Sequence, residues 1–216
     1  ADLCHPQDRK KLLAELKELG ELRYVIHNAG VEYPMSFMDQ SPEQIEQQLQ
    51  LNLTAPIQLT RELLNIMPKN QNASIVFVSS MSGKSPTPYN SVYAATKFAL
   101  NGFVGSLALE LEGQGIHVGV VCPSFVADAG MWSETGVKAP RFMREVSLEQ
   151  VLHGVQKVLQ GKSREVLVTP TPVRPLLALY AIFPRIGPFF LKKTGILKAL
   201  KQRQQVIRKK YKQSSP

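Results

Sequence analysis

Residues 74–97 read SIVFVSSMSGKSPTPYNSVYAATK, and this stretch decides the fold prediction. The run 74–79 is apolar and rich in β-branched residues, which predicts a buried strand. The Ser-, Gly- and Pro-rich stretch 80–90 predicts a loop, and 91–112 predicts a helix that Gly113 ends. A continuous apolar strand followed by a loop and a long helix is typical of a parallel α/β sheet.

The same alternation continues on both sides of this stretch. Ser41 with Gln44 and Ser147 with Gln150 have the spacing of capping boxes, which predicts two helix starts. The further predicted elements are a helix at 8–19, a strand at 22–26, a helix at 42–67, a strand at 118–122, a helix at 147–160 and a strand at 165–169. This order predicts a doubly wound parallel sheet with helices on both faces and ligands outside the carboxyl ends of its strands.

Composition and charge exclude several classes of protein. The 216 residues are 44% hydrophobic and 20% charged, which excludes wholesale disorder and a disulfide scaffold. Residues 1–165 hold 15 basic and 17 acidic side chains, whereas 166–216 hold 11 basic and none acidic, so the net charge of +9 arises from the end of the chain. The predicted sheet therefore gives no support for nucleic-acid binding. Cys4 and Cys122 form no metal-binding motif, which argues against structural zinc and favours a cytoplasmic location.

Ser80, Tyr93 and Lys97 are the strongest candidates for catalysis. Tyr93 and Lys97 lie one helical turn apart on the same face of the predicted helix, and Ser80 follows a strand. A nearby ammonium lowers the pKa of a phenol from about 10, so Tyr93 could exchange a proton with a carbonyl or alcohol oxygen. Ser80 could hold the same oxygen. Taken alone, a Tyr and a Lys at this spacing are more often a solvated pair on a helix surface.

The wider pattern resembles the short-chain dehydrogenase/reductase family over residues 1–170. Besides Ser80, Tyr93 and Lys97, the matching pieces are Asn28-Ala29-Gly30 after a strand, Asn52 within a helix, and Pro123 after the next strand. The resemblance implies a Rossmann-like fold and NADP or NAD as the cofactor, with NADP favoured. Residues 171–216 are then a separate C-terminal extension, apolar at first and basic afterwards.

The resemblance also implies a role for each matching residue. Tyr93 would be the general acid and base, Lys97 would lower its pKa and hold the nicotinamide ribose, and Ser80 would polarise the substrate carbonyl. Asn52 would hold a water that links Lys97 to solvent. The remaining cofactor contacts would come from Asp2, Asn28, Ala29, Gly30, Pro123 and Val126.

Several of these residues have simpler interpretations from the sequence alone. Asn52 could be a buried hydrogen-bonding residue, Asn28-Ala29-Gly30 a turn, and Asp2 a solvated residue near the terminus. His27 ends a strand, and we expect it to be packed and hydrogen-bonded rather than a catalytic base. No metal ligand is predicted.

Two departures from the family pattern concern the cofactor site. Ser124 and Asp128 stand where the family usually has Gly and Thr, and Asp128 is expected to cap a helix beginning near Ala129. The glycine-rich turn that binds pyrophosphate is missing from the sequence. We therefore expect that about 60 residues, or two βα units, precede Ala1, and that their strands lie between those at 22–26 and 74–79.

The C-terminal extension has two alternative interpretations. Residues 173–191 are apolar but interrupted by prolines, and 192–212 predict a basic helix with apolar positions at Ile196, Leu197, Leu200, Val206 and Ile207. The helix could cover the substrate pocket, or it could anchor the protein to anionic lipid as a peripheral membrane protein. Either arrangement favours a lipophilic substrate.

The sequence thus predicts an NAD(P)-dependent oxidoreductase that interconverts a carbonyl and a secondary alcohol. The alternative is a non-catalytic nucleotide-binding or membrane-adaptor protein with the same fold. The resemblance also implies a homodimer or homotetramer in which helices 42–67 and 91–112 pair with their copies. The second helix offers small residues for close approach, namely Ala94, Ala95, Ala99, Gly102 and Gly105.

Overall fold

The strands of the described residues form one parallel sheet in the order β1-β2-β3-β4. The computed structural model describes residues 1–69, 72–127, 129–140, 144–185, 189 and 192–214. The strands are β1 (Tyr24–His27), β2 (Ala73–Val78), β3 (Ile116–Pro123) and β4 (Glu165–Val168). The helices are α1 (Pro6–Glu18), α2 (Pro42–Leu49), α3 (Ala55–Leu63), α4 (Ser91–Glu110), α5 (Gly130–Ser133), α6 (Leu148–Leu159), α7 (Arg174–Ile182) and α8 (Ile196–Ser214).

Helices cover both faces of the sheet, as predicted. Side chains alternate between the faces of a strand, so Ile75 and Phe77 of β2 pack with α3 and α4, whereas Val76 packs with α6. Gly119 of β3 allows the close approach of α6, because a Cβ atom there would lie 2.6 Å from a methyl carbon of Val158. Both predicted capping boxes are present, at the starts of α2 and α6.

The two strands expected to flank a further pair of strands lie side by side in this chain. β1 pairs directly with β2 in parallel register, from Tyr24 opposite Ser74 to His27 opposite Phe77, so no gap separates them. β1 is the outer strand of the described sheet and is only half-buried, because Tyr24 and Ile26 are 56% and 48% exposed. The apolar run 22–26 predicts a buried strand, and that prediction is wrong.

The helix predicted at 42–67 is divided by a π-helical turn. Residues Gln50–Thr54 form this turn between α2 and α3, and Asn52 at its centre is buried. π-helical turns insert an extra residue into a helix and often occur at functional sites, because they redirect a side chain. Here the buried residue of the turn is Asn52.

α4 is the central helix of the molecule. In the described residues it is the one helix long and apolar enough to cross a membrane, but half of it is buried in the protein and it packs on the sheet. Its apolar character is therefore that of a core helix.

The end of the chain packs back over the body. Ile196, Ala199 and Leu200 of α8 are buried against Trp132. α7, by contrast, has no buried residue. The division of the chain into domains at residue 170 stays a prediction.

Candidate active site

Ser80 lies directly beyond the carboxyl end of β2. The pairing of β2 with β3 continues through Ser79, whose amide donates to the Val121 carbonyl at 2.8 Å. Ser80 then opens a 3₁₀ turn, Met81–Gly83, by accepting a hydrogen bond from the Ser82 amide at 3.1 Å. The strand end and this turn together position the Ser80 hydroxyl.

α4 brings Tyr93 and Lys97 beneath the same strand end. Both side chains are buried, at 6% and 4% exposure. The Lys97 Nζ donates to the Val78 carbonyl oxygen at 2.9 Å and lies 5.5 Å from the centroid of the Tyr93 ring. Ser80 and Tyr93 line the same cavity, and the interaction with the Ser80 side chain lowers the pKa of the Tyr93 phenol. The structure thus brings together the three residues that the sequence singled out.

Gly83 allows the 3₁₀ turn to lie directly on α4. A Cβ atom at Gly83 would lie 2.7 Å from the Lys97 carbonyl oxygen, and the Asn101 side chain donates to the Gly83 carbonyl at 2.8 Å. The spacing between the Ser80 turn and the helix of Tyr93 therefore depends on the absence of a side chain at Gly83.

Burial dominates the proton affinities at the site. It raises the pKa of Tyr93 above its ordinary value; the charge of Glu32 raises it further, while the Ser80 hydrogen bond and the charge of Arg203 lower it. Burial also lowers the pKa of Lys97 to about 8. The predicted lowering of the Tyr93 pKa is therefore wrong for this structure, because the cost of burying a phenolate exceeds the favourable interactions.

Asn52 clamps the loop that follows β1. Its Oδ1 accepts from the Val31 amide at 2.8 Å, and its Nδ2 donates to the Val31 carbonyl at 2.8 Å and to the Thr96 hydroxyl at 3.3 Å. A Cβ atom at Gly30 would lie 3.1 Å from the Asn52 Oδ1 and 3.7 Å from the Lys97 Nζ. Asn52 and Gly30 thus fit closely behind Lys97, and a water relay through Asn52 stays a prediction.

A cavity of about 400 Å³ opens above Ser80 and Tyr93. Three of the predicted cofactor contacts, Asn28, Pro123 and Val126, line the same cavity. The rest of its wall is largely apolar and includes Met81, Phe125, Met131, Trp132, Val151, Ile196 and Leu200. The cavity is therefore shaped by groups from the ends of β1, β2 and β3 and from α8.

Other predicted residues lie outside this cavity. Ala29 lines a separate apolar cavity beside β1 and α1. The Asp2 carboxylate accepts from the Cys4 amide at 2.9 Å and lies 3.2 Å from the His5 ring, so it caps the turn before α1. Asp128 lies outside the described residues, and α5 begins at Gly130 with Ala129 at its N-cap.

The prediction that His27 is a packed residue is confirmed. Its Nε2 lies 2.9 Å from the Thr60 hydroxyl, and its ring stacks on Phe77 with the centroids 4.6 Å apart. Burial lowers its pKa to about 4, so the ring is neutral near neutral pH. His27 supports the strand end and does not line the cavity.

Glu32, Trp132 and Arg203 were missed by the sequence reasoning. All three line the cavity, and Arg203 forms a buried ion pair with Glu32. One signal was available, because Arg203 lies three residues after Leu200 and thus on the apolar face of α8. Nothing in the sequence points to its partner 171 residues away.

Comparison with known proteins agrees with this geometry. The family model described as short chain dehydrogenase matches residues 1–139. A ketoacyl reductase, HetN, of Nostoc sp. is 34% identical over 155 residues, which are 72% of this chain and 54% of that protein. The bovine (Bos taurus) protein named dehydrogenase/reductase SDR family member 7B is 31% identical, with 88% and 60% covered. The chain thus spans little more than half the length of these relatives.

Solved structures share the fold at low identity. Landomycin C-6 ketoreductase LanV, solved with bound NADP and rabelomycin, has a TM-score of 0.66 and 21% identity, with 78% of this chain and 71% of that chain covered. 4-Hydroxyisoleucine dehydrogenase, solved with NADH and succinate, has a TM-score of 0.65 and 20% identity, with 78% and 76% covered. The family match together with this fold establishes that the chain belongs to the short-chain dehydrogenase family.

Proposed function

We propose that this protein interconverts a carbonyl group and a secondary alcohol with NADP or NAD as its cofactor. The observation that carries this proposal is that Ser80 and Tyr93 line one cavity, with the Lys97 ammonium 5.5 Å from the centroid of the Tyr93 ring. A hydroxyl pair of this kind can hold one oxygen atom and exchange a proton with it. Such an arrangement has no use in a non-catalytic adaptor.

The residues of the chain supply the proton half of the reaction. In carbonyl reduction, Ser80 donates a hydrogen bond to the substrate oxygen and Tyr93 transfers its phenolic proton to that oxygen. The Lys97 ammonium, buried beside the ring, stabilises the phenolate that remains. In alcohol oxidation the same phenolate takes the proton back. The nicotinamide, when bound, supplies or accepts the hydride at the neighbouring carbon.

The chain fits the nicotinamide end of such a cofactor. Among the described residues, the Ser124 hydroxyl is buried without a hydrogen-bond partner, which suits the amide group of a ligand. The backbone bridge beside it uses the Phe125 carbonyl and the Ala127 amide, so neither backbone polar group of Val126 takes part in it. We assign the nicotinamide to this corner of the cavity, with Asn28 and Pro123 on its other sides.

The substrate is proposed to be lipophilic. Phe125 and Trp132 lie with their ring centroids 4.0 Å apart, and Ile196 and Leu200 of α8 complete the wall around them. An apolar compound that enters this cavity leaves water and gains about 25 cal/mol for each Å² of apolar surface buried. An acyl or polycyclic ketone would therefore bind better than a short polar one.

Two partners are proposed as well. The exposed face of α4 carries Ala95, Phe98, Gly102 and Gly105. Apart from the backbone of α4 itself and the adjacent residues, no described atom lies within 4 Å of a Cβ atom built at either glycine, which suits close pairing with a second copy. Ala94 is buried within the chain and cannot contribute to that face.

The exposed apolar side chains of α7 with the basic surface of α8 suit an anionic lipid surface, which would make the protein peripheral on a membrane.

A turnover assay tests the proposed function directly. The protein would be mixed with NADPH or NADH and a set of ketones of increasing apolar size, and the loss of nicotinamide absorbance would be followed. We expect turnover that increases with apolar size, and NADPH is the favoured cofactor. Absence of turnover with every ketone and both cofactors, in folded protein that measurably binds NADPH or NADH, would contradict the proposal and favour the adaptor alternative.

A further inference from the structure

A buried ion pair links the C-terminal helix to the wall of the cavity. Arg203 of α8 donates from Nη1 to the Glu32 Oε1 at 2.7 Å and from Nη2 to the Oε2 at 2.6 Å. Both side chains are almost fully buried, at 5% and 6% exposure. This two-point geometry is the strongest arrangement of an arginine and a carboxylate, and it fixes their relative orientation.

Arg203 also holds the segment around α5. Its Nη2 donates to the Met131 carbonyl at 2.9 Å, and its guanidinium carbon lies 5.2 Å from the centroid of the Trp132 ring. A single side chain therefore joins α8, the segment around α5 and the loop after β1. These three segments form one side of the cavity above Tyr93.

The location of the pair is unusual for a purely structural contact. Removing two charges from water costs free energy that their attraction often does not recover, so apolar residues of similar volume commonly stabilise such a position equally well. The buried positions on the preceding turns of α8, Ile196, Ala199 and Leu200, are apolar. A role at the cavity, in addition to packing, accounts for charges at this place.

We propose that Arg203 is a positioning residue that docks α8 over the cavity and neutralises the Glu32 carboxylate next to Tyr93. The proposal rests on the proposed oxidoreductase function, because it concerns the proton transfer at Tyr93. When α8 is docked, the catalytic phenol faces a neutral ion pair. When α8 is displaced, it faces an uncompensated carboxylate, which opposes formation of the phenolate. Docking of α8 over the cavity and the ease of forming the Tyr93 phenolate are thereby coupled.

The charges around Tyr93 support this coupling. The charge of Glu32 raises the pKa of Tyr93 and that of Arg203 lowers it, while burial raises it and the Ser80 hydrogen bond lowers it. The titratable and charged groups facing the phenol are Lys97 on α4, Glu32 after β1, Cys122 on β3 and Arg203 on α8. Loss of Arg203 alone should therefore raise the pKa of Tyr93, and loss of Glu32 as well should bring it down again.

The test compares Arg203→Met, Glu32→Gln and the double variant by the pH dependence of kcat in oxidation of cyclohexanol. We expect Arg203→Met to move the pH at which kcat rises upward by about one unit, which is a tenfold loss of kcat below that pH. Glu32→Gln should move it downward, and the double variant should recover most of the lost kcat. Arg208→Met is the matched control. Arg208 lies on the same helix as Arg203, and its ion pair with Asp39 is at the surface.

A purely structural role gives a different result. If Arg203 only holds α8 in place, the single and double variants should raise KM equally and leave the pH profile unchanged, which would overturn the proposal. Glu32→Gln keeps hydrogen-bonding groups opposite Arg203, so it remains informative if Arg203→Met does not fold. An unchanged pH profile in Glu32→Gln would likewise overturn the proposal.

Hydrogen exchange provides a reading that does not depend on turnover. Amides of α8 should exchange faster in Arg203→Met than in the wild-type protein or in Arg208→Met, because docking is weakened. Equal exchange in all three proteins would overturn the docking role. Lack of turnover in the wild-type protein would contradict the proposed function, and this exchange result would still report separately on docking.

Discussion

The Lys97 ammonium lies 5.5 Å from the centroid of the Tyr93 ring and donates a hydrogen bond to the Val78 carbonyl at 2.9 Å. The charge that supports the phenol is thus attached to the carboxyl end of β2. This hydrogen bond holds Lys97 and Tyr93 of α4 at a constant distance from the end of β2, which Ser80 follows. It also means that the spacing between α4 and the segment after β2 controls the chemistry.

Replacing Tyr93 by Phe should abolish most of the activity without unfolding the protein. The change removes the proton donor and keeps the ring, so we expect kcat to fall on the order of 10²–10⁴-fold. Thermal unfolding should change little. The matched control is Tyr24→Phe, because Tyr24 is exposed on β1 away from the cavity. Near-normal ketone reduction by Tyr93→Phe would contradict the assigned role.

Gly83→Ala should impair both stability and activity. The added methyl group would lie 2.7 Å from the Lys97 carbonyl oxygen, so the turn after Ser80 must move away from α4. We expect a loss of about 1–3 kcal/mol in the free energy of unfolding, measured with urea, and a fall in kcat. Gly102→Ala on the same helix meets no described atom within 4 Å, and in the single chain it should stabilise by about 0.5–1 kcal/mol. Equal effects of the two changes would contradict this interpretation.

His27 should make the protein less stable in mild acid. Burial lowers its pKa from 6.5 to about 4, so between these values the unfolded chain binds a proton that the folded protein does not. The free energy of unfolding should therefore fall as the pH decreases from 6.5 to about 4, by up to about 3 kcal/mol, and this contribution should be constant below pH 4.

The difference between wild type and His27→Asn isolates this contribution from that of the carboxylates. Urea unfolding at a series of pH values should show a weaker acid dependence in His27→Asn. His153→Asn is the control, because His153 is exposed on α6. A pH dependence identical in wild type and His27→Asn would contradict the assigned burial effect.

Phe98→Lys should dissociate the proposed oligomer. Phe98 lies on the exposed face of α4 with Gly102 and Gly105, and a lysine there would place like charges opposite each other in a symmetric pair. We expect light scattering to report a dimer or tetramer for the wild-type protein and a smaller species for Phe98→Lys. Leu19→Lys, at an exposed site after α1, should behave like the wild type. A wild-type monomer at micromolar concentration would remove the proposal.

Replacing Leu179 and Ile182 of α7 by Asp should weaken binding to vesicles. Both side chains are exposed. Each basic group of α8 that lies near an anionic surface adds about 1 kcal/mol of attraction, and salt reduces this attraction. Co-sedimentation should require anionic lipid, weaken with salt, and retain an apolar part in the wild type that the variant lacks. The same double change at the exposed residues Leu148 and Leu152 of α6 is the control. Equal sedimentation of both proteins would reject a role for α7.

The C-terminal helix α8 has the amphipathic pattern that the sequence indicates, and part of its apolar face packs against the protein itself. The lipid-anchor alternative places Leu200 against lipid, whereas it is buried against Trp132. The structure therefore supports the interpretation of α8 as a cover of the cavity, and the proposed lipid surface depends on α7 and the outer basic side chains. Helical periodicity shows which residues share a face but not what that face contacts.

The sequence by itself determined the order of the four strands and most of the helices along the chain, both capping boxes and the choice of Ser80, Tyr93 and Lys97. These features depend on local patterns, because strand ends, caps and residues four apart in a helix are positioned by short-range geometry. Only the tertiary structure decided that β1 pairs with β2, that burial raises the pKa of Tyr93, and that Arg203 meets Glu32 above it. These depend on contacts between distant segments and on exclusion of water, which no local pattern of residues encodes.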